Sequence, residues 1–149
     1  MFDKEDRKAY CRVLAAVALA DGRVSTEEFA NYESRMGMAL LAPEERAILR
    51  QELKRGRSVR HAAGDMHPAH LRIGLRDALL MAAADGHYDA REMDVVKELA
   101  RKASFSEADL ESLYDWIDEG WTWMKNGRRV LSLPEDVHHW GTVYDNQTV

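Results

Sequence analysis

The stretch that decides the fold is Val17-Ala18-Leu19-Ala20-Asp21-Gly22-Arg23-Val24-Ser25-Thr26-Glu27-Glu28, because the chain writes it again as Met81-Ala82-Ala83-Ala84-Asp85-Gly86-His87-Tyr88-Asp89-Ala90-Arg91-Glu92. Each copy closes an apolar run with Asp-Gly and reaches a glutamate seven residues after the aspartate. One offset of 64 residues superposes the two, and it also carries Phe29 onto Met93, Leu41 onto Phe105, Leu49 onto Leu113 and Leu53 onto Ile117. Self-similarity over that length is the mark of a repeated supersecondary unit. Each unit reads as helix, Asp-Gly turn, helix, short loop, helix.

Working outward, the apolar positions recur at three- and four-residue spacing almost throughout. Val13, Leu14, Val17 and Ala18 place a first helix over about residues 4 to 20, and Phe29, Tyr32 and Met36 continue the pattern in a second. Pro43 sits where a first-turn proline belongs, opening a third helix to Arg55, with Ile48, Leu49 and Leu53 inward and Gly56 at its end. The basic stretch from Arg57 to Met66 has room for one short helix. His67-Pro68 starts a long one through Leu71, Leu75, Ala78, Leu79 and Ala82. Val95, Val96 and Leu99 mark the next, and Leu110, Leu113, Trp116 and Ile117 the last. The expected fold is all-α, a compact bundle of about seven helices built from two pseudo-symmetric repeats whose apolar faces pack together.

A chain of 149 residues with 46% hydrophobic content can bury one good core. Residues 1–119 are read as the helical domain and 120–149 as an aromatic-rich extension packed on it. The charged start Met1–Asp6 and the lack of a long apolar run predict neither a secretory signal nor membrane insertion. The single cysteine, Cys11, falls on an apolar helix face and is expected in the core of a cytoplasmic protein. The net charge of −5 is unevenly spread: seven bases face four acids between Glu44 and Arg72, while eleven acids face four bases between Asp85 and Glu119. That polarity suits a cation or a basic partner at the acidic end, and nucleic-acid binding is not expected.

The Asp-Gly turns have a structural and a chemical reading. Structurally, Ser25-Thr26-Glu27-Glu28 and Asp89-Ala90-Arg91-Glu92 fit the capping box, in which the first side chain and the acid three residues later satisfy orphan helix amides. Val24 and Tyr88 occupy the staple position before each cap. Chemically, Asp21, Gly22, Val24 and Glu28 match positions five, six, eight and twelve of a calcium-binding EF-hand loop. Positions one and three, however, fall on Val17 and Leu19, or on Met81 and Ala83, which offer no side-chain oxygen. A hard divalent cation such as calcium, magnesium or manganese therefore requires both copies together, through Asp21, Glu28, Asp85 and Glu92.

These paired Ala-x-Ala-Asp-Gly turns, followed by Leu41-Ala42-Pro43-Glu44-Glu45 and Phe105-Ser106-Glu107-Ala108-Asp109, resemble the TerB-like family associated with tellurite resistance. The similarity spans about residues 8 to 118. It implies a compact, cytoplasmic, non-enzymatic helical domain linked to stress responses, with metal held by the acids of the two turns. On this chain those acids are Asp21, Glu28, Asp85 and Glu92. His87-Tyr88 makes the second turn bulkier, and the segment beyond Gly120 has no counterpart in the family pattern.

Nothing else in the sequence supplies a reaction. His67 and His70 share a helix start and His138-His139 are adjacent, but two ligands per cluster do not make a zinc set. No nucleophile elbow and no glycine-rich phosphate loop occurs. Met124-Lys125-Asn126-Gly127 is expected to break the last helix at Asn-Gly. Trp121, Trp123 and Trp140, with Tyr144, either close over the bundle or form anchors for a protein partner or a second copy of the chain.

Overall fold

A computed structural model describes residues 3–20, 22–56, 58–82 and 90–133. These form seven helices and no strand: α1 (Lys4–Ala18), α2 (Thr26–Met38), α3 (Pro43–Leu53), α4 (Val59–Ala63), α5 (Pro68–Ala82), α6 (Ala90–Lys102) and α7 (Glu107–Val130). Adding 64 to the bounds of α1 and α2 returns those of α5 and α6, and α3 and α7 start at matching positions.

The helix ends explain these bounds. Asp3 caps α1 by accepting from the Asp6 amide at 2.8 Å. At α2 the expected box is present in both directions: Ser25 Oγ accepts from the Glu28 amide at 3.1 Å, and Glu28 Oε2 accepts from the Ser25 amide at 2.7 Å. Asp89 lies outside the described residues, so the second predicted box is not described. A box closes at α7 instead, between Ser106 and Asp109. Helices α2 and α6 end alike, with a left-handed residue and a six-to-one bond of the Schellman type. Leu40 (φ 53°) is followed by Leu41 N donating to Met36 O at 3.4 Å, and Ser104 (φ 57°) by Phe105 N donating to Ala100 O at 2.9 Å.

Helix α1 is the hub. From Tyr10 to Ala18 all its residues except Arg12 are buried, and it packs on α2, α3, α4, α5 and α6. Its most extensive partner is α5, where Gly74 lets the chains approach: a Cβ there would stand 3.5 Å from Val13 Cγ1. The two helices run in the same direction, because Asp6 meets His70 at 3.0 Å near both N-termini while Tyr10 meets Asp77 further along. The core that joins them includes Leu14, Val17, Tyr32, Met36, Leu49, Leu75, Leu79, Val96, Leu99 and Ile117. Cys11 is fully buried as expected, and burial pushes its thiol up to about 12.

Three expectations are corrected. Helices α1 and α3 stop at Ala18 and Leu53, two residues before the positions read from periodicity, and Gly56 follows in the left-handed region at φ 64°. Asn126-Gly127 does not break α7, which continues to Val130. An interior glycine costs about 1 kcal/mol of helix propensity, and Met124, Lys125, Arg128 and Arg129 around it are strong helix formers. Trp121 and Trp123 also part company: Trp121 packs against the core, while Trp123 is 71% exposed. As one helix, α7 runs straight across residues 119 and 120.

Candidate functional site

Two of the four acids assigned to the Asp-Gly turns are described. Glu28 and Glu92 each occupy the third position of their helix, α2 and α6, and both are buried. Burial is unusual for glutamate unless the carboxylate is paired, and among the described residues the only other buried charged side chain is Asp77. Ser25 accounts for one oxygen of Glu28 through the capping box. Asp21 and Asp85 lie outside the described residues, as does Trp140.

The helices leading into the two turns constrain the route of the chain. Because α1 and α5 lie side by side in the same direction, their last residues, Ala18 and Ala82, stand at the same end of the bundle. Glu28 and Glu92 then re-enter at matched positions of α2 and α6. Among the described residues, no group of three or more His, Cys, Asp and Glu side chains gathers to hold a metal ion. The described donors are hard carboxylate oxygens, suited to calcium, magnesium or manganese, but two glutamates alone fall short of such a set.

His67 and His70 are absorbed locally, while His138 and His139 lie outside the described residues. His67 Nδ1 accepts from the Ala69 amide at 3.2 Å at the start of α5, and His70 Nδ1 lies 3.0 Å from Asp6 Oδ2.

A second arrangement was not foreseen from the sequence. Tyr10 of α1 donates to Asp77 Oδ2 of α5 at 2.7 Å. Arg76 grips the same carboxylate with both arms, Nε to Oδ1 at 2.8 Å and Nη2 to Oδ2 at 3.0 Å. Arg35 from the last turn of α2 adds a contact to Oδ1 at 3.1 Å. Burial, reinforced by the neighbouring Asp77 charge, drives the Tyr10 hydroxyl far above its usual range, so it remains a donor. These residues floor a cleft of about 280 Å³ between α1, α2 and α5, with Arg7 on its wall. The available signal was an acid, Asp77, three residues after Gly74 and four before Met81, in the register of the buried face of α5.

No family model, curated protein or solved structure matches the chain. Among the described residues no helix is long and apolar enough to cross a membrane.

Proposed function

We propose that this chain is a non-enzymatic, cytoplasmic TerB-like helical domain of the stress and tellurite-resistance type, and that its Asp-Gly end takes one divalent cation shared between the two turns. The observation that supports the reading is the parallel pairing of α1 and α5 with ends at Ala18 and Ala82. If both turns continue from that shared end, four carboxylates from two half-loops would do what neither half-loop does alone. The buried Glu28 and Glu92, at equivalent helix positions, add to it. Asp21, Asp85, Glu28 and Glu92 would hold the ion, and its role is conformational: it ties the two repeats together.

Thermal melts with calcium, magnesium and manganese test this. A cation bound only by the folded chain stabilises it by about 2.7 kcal/mol at a hundredfold excess over Kd, an increase in Tm that Asp21→Asn and Asp85→Asn should each remove. Unchanged melting in all three salts would sink the reading.

A second reading rests on α7. Trp116, Trp123 and Val130 recur every seven residues along its exposed side, the spacing that pairs helices. Its N-terminal stretch to Glu119 carries Glu107, Asp109, Glu111, Asp115, Asp118 and Glu119, and its last turns carry Lys125, Arg128 and Arg129. An antiparallel α7 from a second copy, with Trp123 at the twofold axis, would set Trp116 opposite Val130 and Asp118 opposite Arg128. On this reading the domain is a metal-free interaction module. Sedimentation across a concentration series would show self-association that Trp123→Asp abolishes, whereas a wild-type chain that remains a monomer at every concentration would count against it.

A further inference from the structure

The cleft over Asp77 carries more positive charge than its own carboxylate can neutralise. Arg7, Arg35 and Arg76 line it, against the single acid Asp77. Asp77 already accepts from Tyr10 and Arg76 and touches Arg35, so it is saturated by the cleft floor. Arg7 is the group left over. Its Nη1 reaches the Ala39 carbonyl at 3.3 Å, but its Nε is buried and makes no hydrogen bond among the described residues. A buried guanidinium N–H without an acceptor is costly and calls for one.

The rim is of opposite character. Met38, Leu40 and Ile73 all stand exposed around the cleft mouth, although nearby apolar positions of α2 and α5 are buried. Leu40 is exposed on a left-handed backbone, a conformation leucine adopts at a cost. Cationic floor and apolar mouth together define an amphipathic ligand: an anionic head that accepts from guanidinium donors, and a short aliphatic part that covers the rim. Planar carboxylate matches the fork of an arginine. A cleft of about 280 Å³ has room for a carboxylate with several carbons.

We propose that this cleft binds a small aliphatic carboxylate, with Arg7 and Arg35 on the head group and Met38, Leu40 and Ile73 on the chain. The site shares no residue with the Asp-Gly turns, so it stands or falls separately from the cation reading.

Titration calorimetry of the full chain with sodium octanoate tests it, with sodium acetate, 1-octanol and inorganic phosphate as comparison probes. Octanoate should bind at one equivalent, and acetate, octanol and phosphate each at least tenfold more weakly, because each lacks either the chain or the carboxylate. Arg7→Gln should weaken octanoate at least tenfold. Met38→Glu, an exposed change that leaves the core alone, should do the same by placing a like charge at the mouth, and it keeps the test available if Arg7→Gln does not fold. The proposal is overturned if octanoate gives no binding heat, if octanol or phosphate binds as tightly, or if a folded Arg7→Gln or Met38→Glu chain binds octanoate like the wild type.

Discussion

The Tyr10 hydroxyl donates to the Asp77 carboxylate at 2.7 Å, joining the hub helix α1 to α5 across 67 residues of sequence. Both groups are buried, and the acceptor is charged, so the bond belongs to the stronger class, worth about 1.5–3 kcal/mol. Tyr32 is the natural control: it is fully buried, yet its hydroxyl has no hydrogen-bond partner among the described residues. Tyr10→Phe should therefore lower unfolding stability by about 2 kcal/mol, while Tyr32→Phe, which removes a buried hydroxyl that has no partner among the described residues, should leave stability unchanged or raise it. Urea denaturation of the two variants reads the difference directly, and equal losses would show that the Tyr10–Asp77 bond has no special weight.

Removing the carboxylate itself should be harsher. Asp77→Ala leaves Arg35, Arg76 and the Tyr10 hydroxyl without their common acceptor. Breaking a buried pair by deleting one member costs about 3–5 kcal/mol. Arg76 is 44% exposed and can turn toward water, which favours the lower end, about 3 kcal/mol. Asp77→Asn keeps the shape and one acceptor, and should fall between Asp77→Ala and wild type in the same assay.

Alkaline pH should unfold the protein through groups that are buried neutral. Burial raises the Tyr10 and Tyr32 hydroxyls and the Cys11 thiol, the last to about 12. In the unfolded chain a cysteine ionises near 8.5 and a tyrosine near 10, whereas in the folded chain all three hold their protons well beyond those values. The native state then binds more protons, so stability is complete below about pH 8 and falls as pH rises through 9 to 11, by up to ~1.4 kcal/mol per pH unit for each group. Denaturant melts at pH 7, 9, 10 and 11 should show that decline, and Tyr10→Phe should make it shallower. A stability unchanged to pH 11 would contradict the burial of these groups.

Two exposed backbone positions offer gains. Leu40 sits at φ 53° with 74% of its surface in water, so Leu40→Gly relieves left-handed strain without opening the core and should add about 0.5–1 kcal/mol. Gly127 is helical, and a Cβ there meets nothing within 4 Å. Gly127→Ala should add a similar amount through helix propensity. Thermal melts check both, and a loss of stability at either would show a contact that the fold described here lacks.

Much of the architecture was legible because it rests on short-range rules. Ser25 and Glu28 are three apart and form their box, Pro43 and Pro68 open α3 and α5, and the offset read from Asp21 and Asp85 reappears in the bounds of four helices. Composition alone groups Trp121 with Trp123, although residues two apart on a helix point about 200° apart, which sends one inward and the other out. The Asp77 cluster was not legible because its members, Arg7, Tyr10, Arg35 and Arg76, are scattered over 70 residues and meet only once α1, α2 and α5 pack. Residue type alone favours the surface for an aspartate; the helical register of Asp77 with Gly74 and Met81 is the hint that it faces inward.

The central claim is a single ion shared by the two Asp-Gly turns, and the stoichiometry of manganese binding, measured by calorimetry on the full chain and on Asp21→Asn and Asp85→Asn separately, tests it most directly. A shared site predicts one manganese per chain, lost in either variant, because each turn supplies only half of the ligands. No binding heat in the wild type, or binding that survives intact in either variant, would contradict it.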